Sequence, residues 1–170
     1  MHIFGITGRS GCGKTTLVER LVQHLRHQGM AVSTVKQAHA AFEPDRPGKD
    51  SWRHRTAGAS EVLVASAHRW ALMAEVQGES PPDLDALLAR MAAVDLVLVE
   101  GFRANPHPKL EVHRAAVGKG LLAHGDPNVL AVASDTPLAG VGRPVLDLDD
   151  IAALGRYVRE NSAPVEGSPA

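Results

Sequence analysis

Cysteine occurs once in this 170-residue chain, tyrosine once, tryptophan twice and phenylalanine three times. A single thiol, Cys12, excludes an intrachain disulfide and suits a reducing compartment. No apolar run reaches the ~18 residues that a membrane span needs. The opening "MHIFGITGRSG" has no basic segment leading into an apolar h-region, so no signal peptide is expected and the chain reads as cytoplasmic. Excess charge is missing too. A formal net charge of −1 gives no general reason to bind nucleic acid or an anionic membrane. The nine histidines are scattered, with no His-x-His, no helical His-x-x-x-His and no cysteine pair to hold a metal.

What is present is ordinary globular composition, 44% hydrophobic and 22% charged. The length suits one domain with a substantial core, expected over residues 1–160 with a disordered tail at 161–170. "HIFGIT" reads as a strand and runs straight into a Gly-rich loop. Leu17, Leu21 and Leu25 then recur at helical spacing, with Gly29 placed to end the helix. "MAVSTVK" is a second strand, so the chain opens β-α-β.

Residues 38–49 read as a long loop before a short helix at about 51–58. "EVLVAS" and "RWALMAE" form an expected antiparallel hairpin, and "SPPDLDALLARM" a helix. "VDLVLVEG" and "NVLAVASD" are continuous apolar runs, as in strands buried on both faces. "KLEVHR" alternates and reads as an edge or exposed strand, and "LDDIAALGRYVREN" as the last helix. Strands alternating with helices imply an α/β three-layer sandwich, a mostly parallel sheet with helices on both faces.

"GRSGCGKT", Gly8 to Thr15, matches G-x-x-x-x-G-K-[ST] in full, in the strand–loop–helix context that gives the motif meaning. Glycines let successive N–H groups turn inward around an anion, and the helix N-terminus adds its dipole. Gly8, Ser10, Gly11, Cys12 and Gly13 would form this P-loop cradle. Lys14 would reach the β/γ-phosphates, the Thr15 hydroxyl would ligate Mg²⁺, and Thr16 would lie near the α-phosphate. Cys12 more simply contributes its backbone N–H than a redox switch.

A P-loop site needs a second acid near the metal. Glu100, ending "VDLVLVEG", is the candidate to hold a metal-bound water. Asp95 enters the same strand ~17 Å away and is too far to share the ion. Asp135, ending "VASD", lies on the carboxyl edge where such sheets bind ligands. A carboxylate there can accept from guanine N1–H and N2–H together, although the lysine of the usual guanine signature is missing and a plain turn acid is the alternative. Lys36 and His39, after the second strand, are candidates to approach phosphate or attacking water, with a satisfied polar loop histidine as the alternative for His39.

"PGKDSWRHRTAG" places Lys49, Asp50, Arg53, His54 and Arg55 in one stretch. As a switch over the γ-phosphate, Asp50 would bind Mg²⁺ or orient water, while Lys49, Arg53 and Arg55 would meet phosphate. As a solvated helix start, Asp50 would only pair with Arg53 and His54, for ~0.2–0.5 kcal/mol per pair.

"GITGRSGCGKTTL", "VKQAHAAF", "PGKDSWRHRTAGA", "LVLVEGFR" and "PKLEVHR", in this order over roughly residues 1–160, resemble the molybdopterin-guanine dinucleotide biosynthesis adaptor protein B family. Gln37 and Ala40 stand where relatives tend to carry further histidines. The resemblance implies a P-loop NTPase fold that binds GTP and Mg²⁺, a homodimer, and weak GTPase activity. It also implies a molybdenum cofactor guanylyltransferase as partner, with molybdopterin as a further ligand to consider. A P-loop small-molecule kinase and a nucleotide-binding module without turnover are the competing classes.

Overall fold

The computed structural model describes residues 1–38, 42–76 and 82–165. They divide into two compact units, residues 1–37 with 88–170 and residues 38–87.

The first unit is built on a seven-stranded sheet: β1 (His2–Thr7), β2 (Val32–Lys36), β5 (Leu96–Glu100), β6 (Lys109–His113), β7 (Val129–Ser134), β8 (Val145–Asp147) and β9 (Ala163–Pro164). The path β2-β5-β1-β6-β7-β8 is parallel throughout. Only β9 runs antiparallel, pairing His2 and Ile3 with Pro164 and Ala163. β1 and β5 are sequence-continuous apolar runs because both of their faces are covered.

Helix α1 (Lys14–His27) buries Leu17, Val18, Leu21 and Leu25. It packs against α4 (Ile151–Asn161), which buries Leu154 and Val158. Their contact is close at one point: a Cβ on Gly155 would stand 2.6 Å from His24 Cδ2. His24 therefore packs over a glycine of α4. From Ala131 to Ala133 the side chains of β7 alternate between clusters, Ala131 and Ala133 joining the main core and Val132 a second one with Ala123 and Val141. Val129, before the register shift against β6, joins that second cluster too.

Two expectations change. "KLEVHR" is an interior strand between β1 and β7, with Lys109 and Glu111 buried. Its alternation reflects buried polar groups that are satisfied internally. Lys109 donates to Asn105 O (2.6 Å) and Asp126 Oδ2 (3.2 Å), and Glu111 accepts from Leu122 N and Ala123 N at 2.8 Å each. Of the tail expected from residue 161, Asn161 closes α4, Ala163–Pro164 form β9, and Val165 N donates to Met1 O.

The second unit holds α2 (Asp50–Thr56) and the hairpin β3 (Glu61–Ala65) and β4 (Trp70–Ala74), closed by the bond from Ser66 N to Arg69 O. α3 spans only Leu84–Leu88 of the helix expected there. Among the described residues, no helix is long and apolar enough to cross a membrane.

Candidate functional site

The parallel register brings the chemistry to one edge. Thr7, Lys36, Glu100, His113 and Ser134 are all last residues of their strands. Lys36 pairs in register with Glu100, and Glu100 with Ile6, one residue before the end of β1. The chain passes from β1 to β2 and β5 on one side, then crosses to β6 on the other. That reversal beside β1 is where open α/β sheets receive ligands.

β1 runs into the loop Gly8–Gly13 and then α1. Gly8, Gly11 and Gly13 have φ of 141°, 83° and 92°, values that favour glycine. At Gly8 space matters as well, since a Cβ would meet Val112 O at 2.5 Å. Nothing lies within 4 Å of a Cβ built on Gly11, so the loop is open there. Gly13 is the N-cap of α1 and gives no side-chain cap, which leaves the first N–H groups of the helix to an anion. Lys14 folds back to donate to Arg9 O at 3.0 Å. Cys12 is 1% exposed and burial pushes its thiol pKa up, which opposes a redox role and favours a purely backbone one.

Thr15 and Glu100 converge. The hydroxyl lies 3.2 Å from both carboxylate oxygens. Lys36 Nζ stands 3.4 Å from Thr15 Oγ1 and 3.5 Å from Glu100 Oε1. One hydroxyl and one carboxylate beside an anion cradle are hard oxygen donors of the kind that hold Mg²⁺ together with phosphates and water. No cluster of three or more His, Cys, Asp or Glu among the described residues offers an all-protein metal cage. Thr15 and Glu100, as hard oxygen donors, fit Mg²⁺. Thr16 follows Thr15 in the first turn of α1 and is exposed.

The turn after Glu100 has two consecutive left-handed residues, Gly101 at φ 99° and Phe102 at φ 49°. The second is unfavourable for a bulky side chain. Gln37 stabilises it: its N–H donates to Glu100 O (2.9 Å), and its Oε1 accepts from Phe102 N (2.9 Å). Gln37 also explains Gly101, where a Cβ would lie 2.7 Å from Gln37 Cβ. Sequence reading noted Gln37 only as a departure from a histidine.

Asp135 directly follows β7. Its Oδ1 accepts from Ala115 N (3.0 Å), and its Oδ2 lies 3.7 Å from Arg114 Nη1. Arg114, immediately after β6, donates from Nε to Cys12 O at 3.2 Å. It joins the cradle to the Asp135 end of the site, and sequence reading missed it. The available signal was its place as the last residue of "KLEVHR", a strand misread as an edge.

Lys49, Asp50 and Arg53 belong to the second unit, at the start of α2. Asp50 is the first residue of that helix, and Arg53 Nη1 is 3.9 Å from its carboxylate. Arg55 is taken by structure within this unit, bonded to Glu43 (2.6 Å) and Glu75 (3.1 Å). That bond holds the Glu43 carboxyl below its ordinary pKa. Arg55 is thus removed from the phosphate-contacting candidates. His39 lies outside the described residues.

Comparison with known proteins follows the same lines. Residues 3–135 match the family model described as molybdopterin guanine dinucleotide synthesis protein B. The chain is 42% identical to the molybdopterin-guanine dinucleotide biosynthesis adapter protein of Haemophilus influenzae, over 92% of this chain and 86% of that one. It is 40% identical to the protein of the same description from Escherichia coli, covering 89% and 87% respectively. A crystal structure of molybdopterin-guanine biosynthesis protein B superposes with a TM-score of 0.73 at 29% identity, covering 93% of this chain and 97% of that one. The crystal structure of Bacillus subtilis MobB gives 0.74 at 26% identity, covering 96% and 100%.

Proposed function

Because this chain belongs to the molybdopterin guanine dinucleotide synthesis protein B family, we propose that it is a cytoplasmic GTP-binding adapter in molybdenum cofactor biosynthesis, with slow Mg²⁺-dependent GTPase activity. The observation that carries this reading is the convergence of Thr15 and Glu100 beside an open glycine cradle. Backbone N–H groups of Gly8–Gly13 and the N-terminus of α1 receive the phosphates, and Lys14 leaves Arg9 O to join them. Mg²⁺, when bound, neutralises phosphate charge. Thr15 would supply a hydroxyl ligand to it, and Glu100 would hold a water beside it. Lys36, already within reach of both, adds a cation toward the phosphate end.

Asp135 reads guanine. Each of its oxygens retains a lone pair beyond the contacts to Ala115 and Arg114, enough to accept N1–H and N2–H. Lys49, Asp50 and Arg53 act as the switch. Nothing in this scheme requires fast turnover. The output is a nucleotide-dependent shape offered to a partner, a guanylyltransferase that attaches GMP to molybdopterin, with molybdopterin itself as a second ligand to test. The adapter works as a homodimer, for which the exposed apolar face of the β3–β4 hairpin is the supporting feature.

Incubation with γ-labelled GTP and Mg²⁺ tests the reading. Slow release of free phosphate, together with faster guanylylation when molybdopterin-loaded partner is added, is the expected result. Label transferred to a small acceptor would make the protein a kinase instead. Equal affinity for ATP and GTP would remove the guanine assignment.

A further inference from the structure

We propose that Arg114 is a specificity-determining positioning residue, which holds the base-reading carboxylate of Asp135 in register with the phosphate cradle. The inference rests on the reading of Asp135 as the guanine acceptor. Arg114 extends from the end of β6, the strand between the P-loop strand β1 and the Asp135 strand β7. Its guanidinium spans the same gap: Nε donates to Cys12 O at 3.2 Å, and Nη1 faces Asp135 Oδ2 at 3.7 Å. The group also lies over Gly13, where a Cβ would meet Nε at 3.2 Å.

The planar guanidinium is what makes this a coupling. Its donors sit in a rigid fork, so fixing Nε on the loop carbonyl also fixes the direction from which Nη1 approaches the carboxylate. Asp135 Oδ1 then accepts a hydrogen bond from Ala115 N, while Oδ2 faces the Arg114 guanidinium as an ion pair at 3.7 Å. A carboxylate with one hydrogen bond can turn about its last bond, and a cation fixed on the side of its other oxygen favours one orientation of the plane. That plane decides whether two parallel donors, guanine N1–H and N2–H, can both be met. Arg114 also supplies, from a neighbouring strand, the cation that this sequence lacks beside Asp135 in the usual guanine signature.

The test is a competition assay on the full-length protein with Mg²⁺, in which GTP and ATP displace a fluorescent GTP analogue. Arg114→Ala is expected to lower the GTP-over-ATP preference about tenfold, the equivalent of one hydrogen bond to a charged group. Arg114→Lys, which keeps the charge but cannot span both contacts, should lower it as well, and it keeps the test decisive should the alanine variant not fold. In an Asp135→Asn background, Arg114→Ala should change the preference no further. Equal losses for GTP and ATP would make Arg114 a phosphate ligand and overturn the proposal. A preference that Asp135→Asn abolishes and both Arg114 variants leave intact would overturn the Arg114 proposal alone. A wild-type protein with no preference for GTP would refute the Asp135 reading, and this inference with it.

Discussion

Lys36 and Glu100 end adjacent parallel strands in exact register, and the ammonium stands 3.5 Å from Oε1 while both groups reach the Thr15 hydroxyl. A cation and an anion at this point satisfy one another before any metal arrives. Glu100 is 12% exposed and Lys36 57%, so the acid is fixed and the lysine is the partner free to move.

Glu100→Gln should separate the metal role from the structural one. The pair with an exposed lysine contributes under about 1 kcal/mol, so the melting temperature should fall little. Mg²⁺ should then strengthen GTP binding far less than in the wild-type protein. Calorimetric titrations with and without Mg²⁺ measure this directly. An unchanged Mg²⁺ increment would take Glu100 out of the metal site.

Asp50→Ala distinguishes a switch from a solvated helix start. The carboxylate is 91% exposed and its contact to Arg53 is 3.9 Å, so stability should change by no more than about 0.5 kcal/mol. GTP hydrolysis should nevertheless slow, measured as phosphate release at saturating GTP. Unaltered hydrolysis would return Asp50 to the helix-start reading.

The contrast between these two acids shows what sequence could reveal. Glu100 follows four apolar residues that are almost fully buried, and a buried run ending in an acid says both where the strand is and where its end points. The glycine loop and its place between β1 and α1 were legible too, since the motif fixes its glycines and lysine at set spacing. "KLEVHR" was misread because period-2 alternation implies a wet face only when its polar members meet water. Lys109 and Glu111 instead meet Asp126, Asn105 and the N–H groups of Leu122 and Ala123, partners 4 to 17 residues away along the chain. No local pattern marks such partners, and Arg114 was lost with the strand it follows. Gln37 was hidden similarly, because its task is to hold a turn 65 residues away.

His107 predicts an acid dependence of stability. It is 8% exposed, and neither ring nitrogen has a hydrogen-bond partner. The ring packs against β1 at Gly5, where a Cβ would stand 2.6 Å from Nε2. Burial first, and then the nearby Lys109 charge, lower its pKa to about 4. The unfolded chain therefore binds a proton near pH 6.5 that the folded chain refuses until about pH 4. Stability from this group is intact above pH 6.5 and is lost as pH falls toward 4, by about 2 kcal/mol at pH 5. Urea unfolding at pH 7 and pH 5 should show the loss, and His107→Phe should flatten it. An equal loss in that variant would assign the effect to other groups.

The last prediction concerns the hairpin face. In the β3–β4 register Leu63 opposes Leu72 and Ala65 opposes Trp70, so these four side chains share one side of a two-stranded sheet. Leu63 is 61% exposed, Leu72 42% and Trp70 68%. On the other side Val62, opposite Met73, is buried. A two-stranded hairpin is marginally stable alone, and a contiguous aliphatic and indole surface in water is the kind that marks an interface. If two copies bury this face against each other, Leu63→Glu together with Trp70→Glu places like charges in the contact. Both positions are solvent-exposed within one chain, so the fold itself should tolerate them. Sedimentation at increasing concentration should show a dimer for the wild-type protein and a monomer for the double variant. GTP affinity should be retained, because neither position belongs to the cradle from Gly8 to Thr15 or to the proposed switch at Lys49, Asp50 and Arg53. A double variant that remains dimeric would mean that the copies associate through another surface.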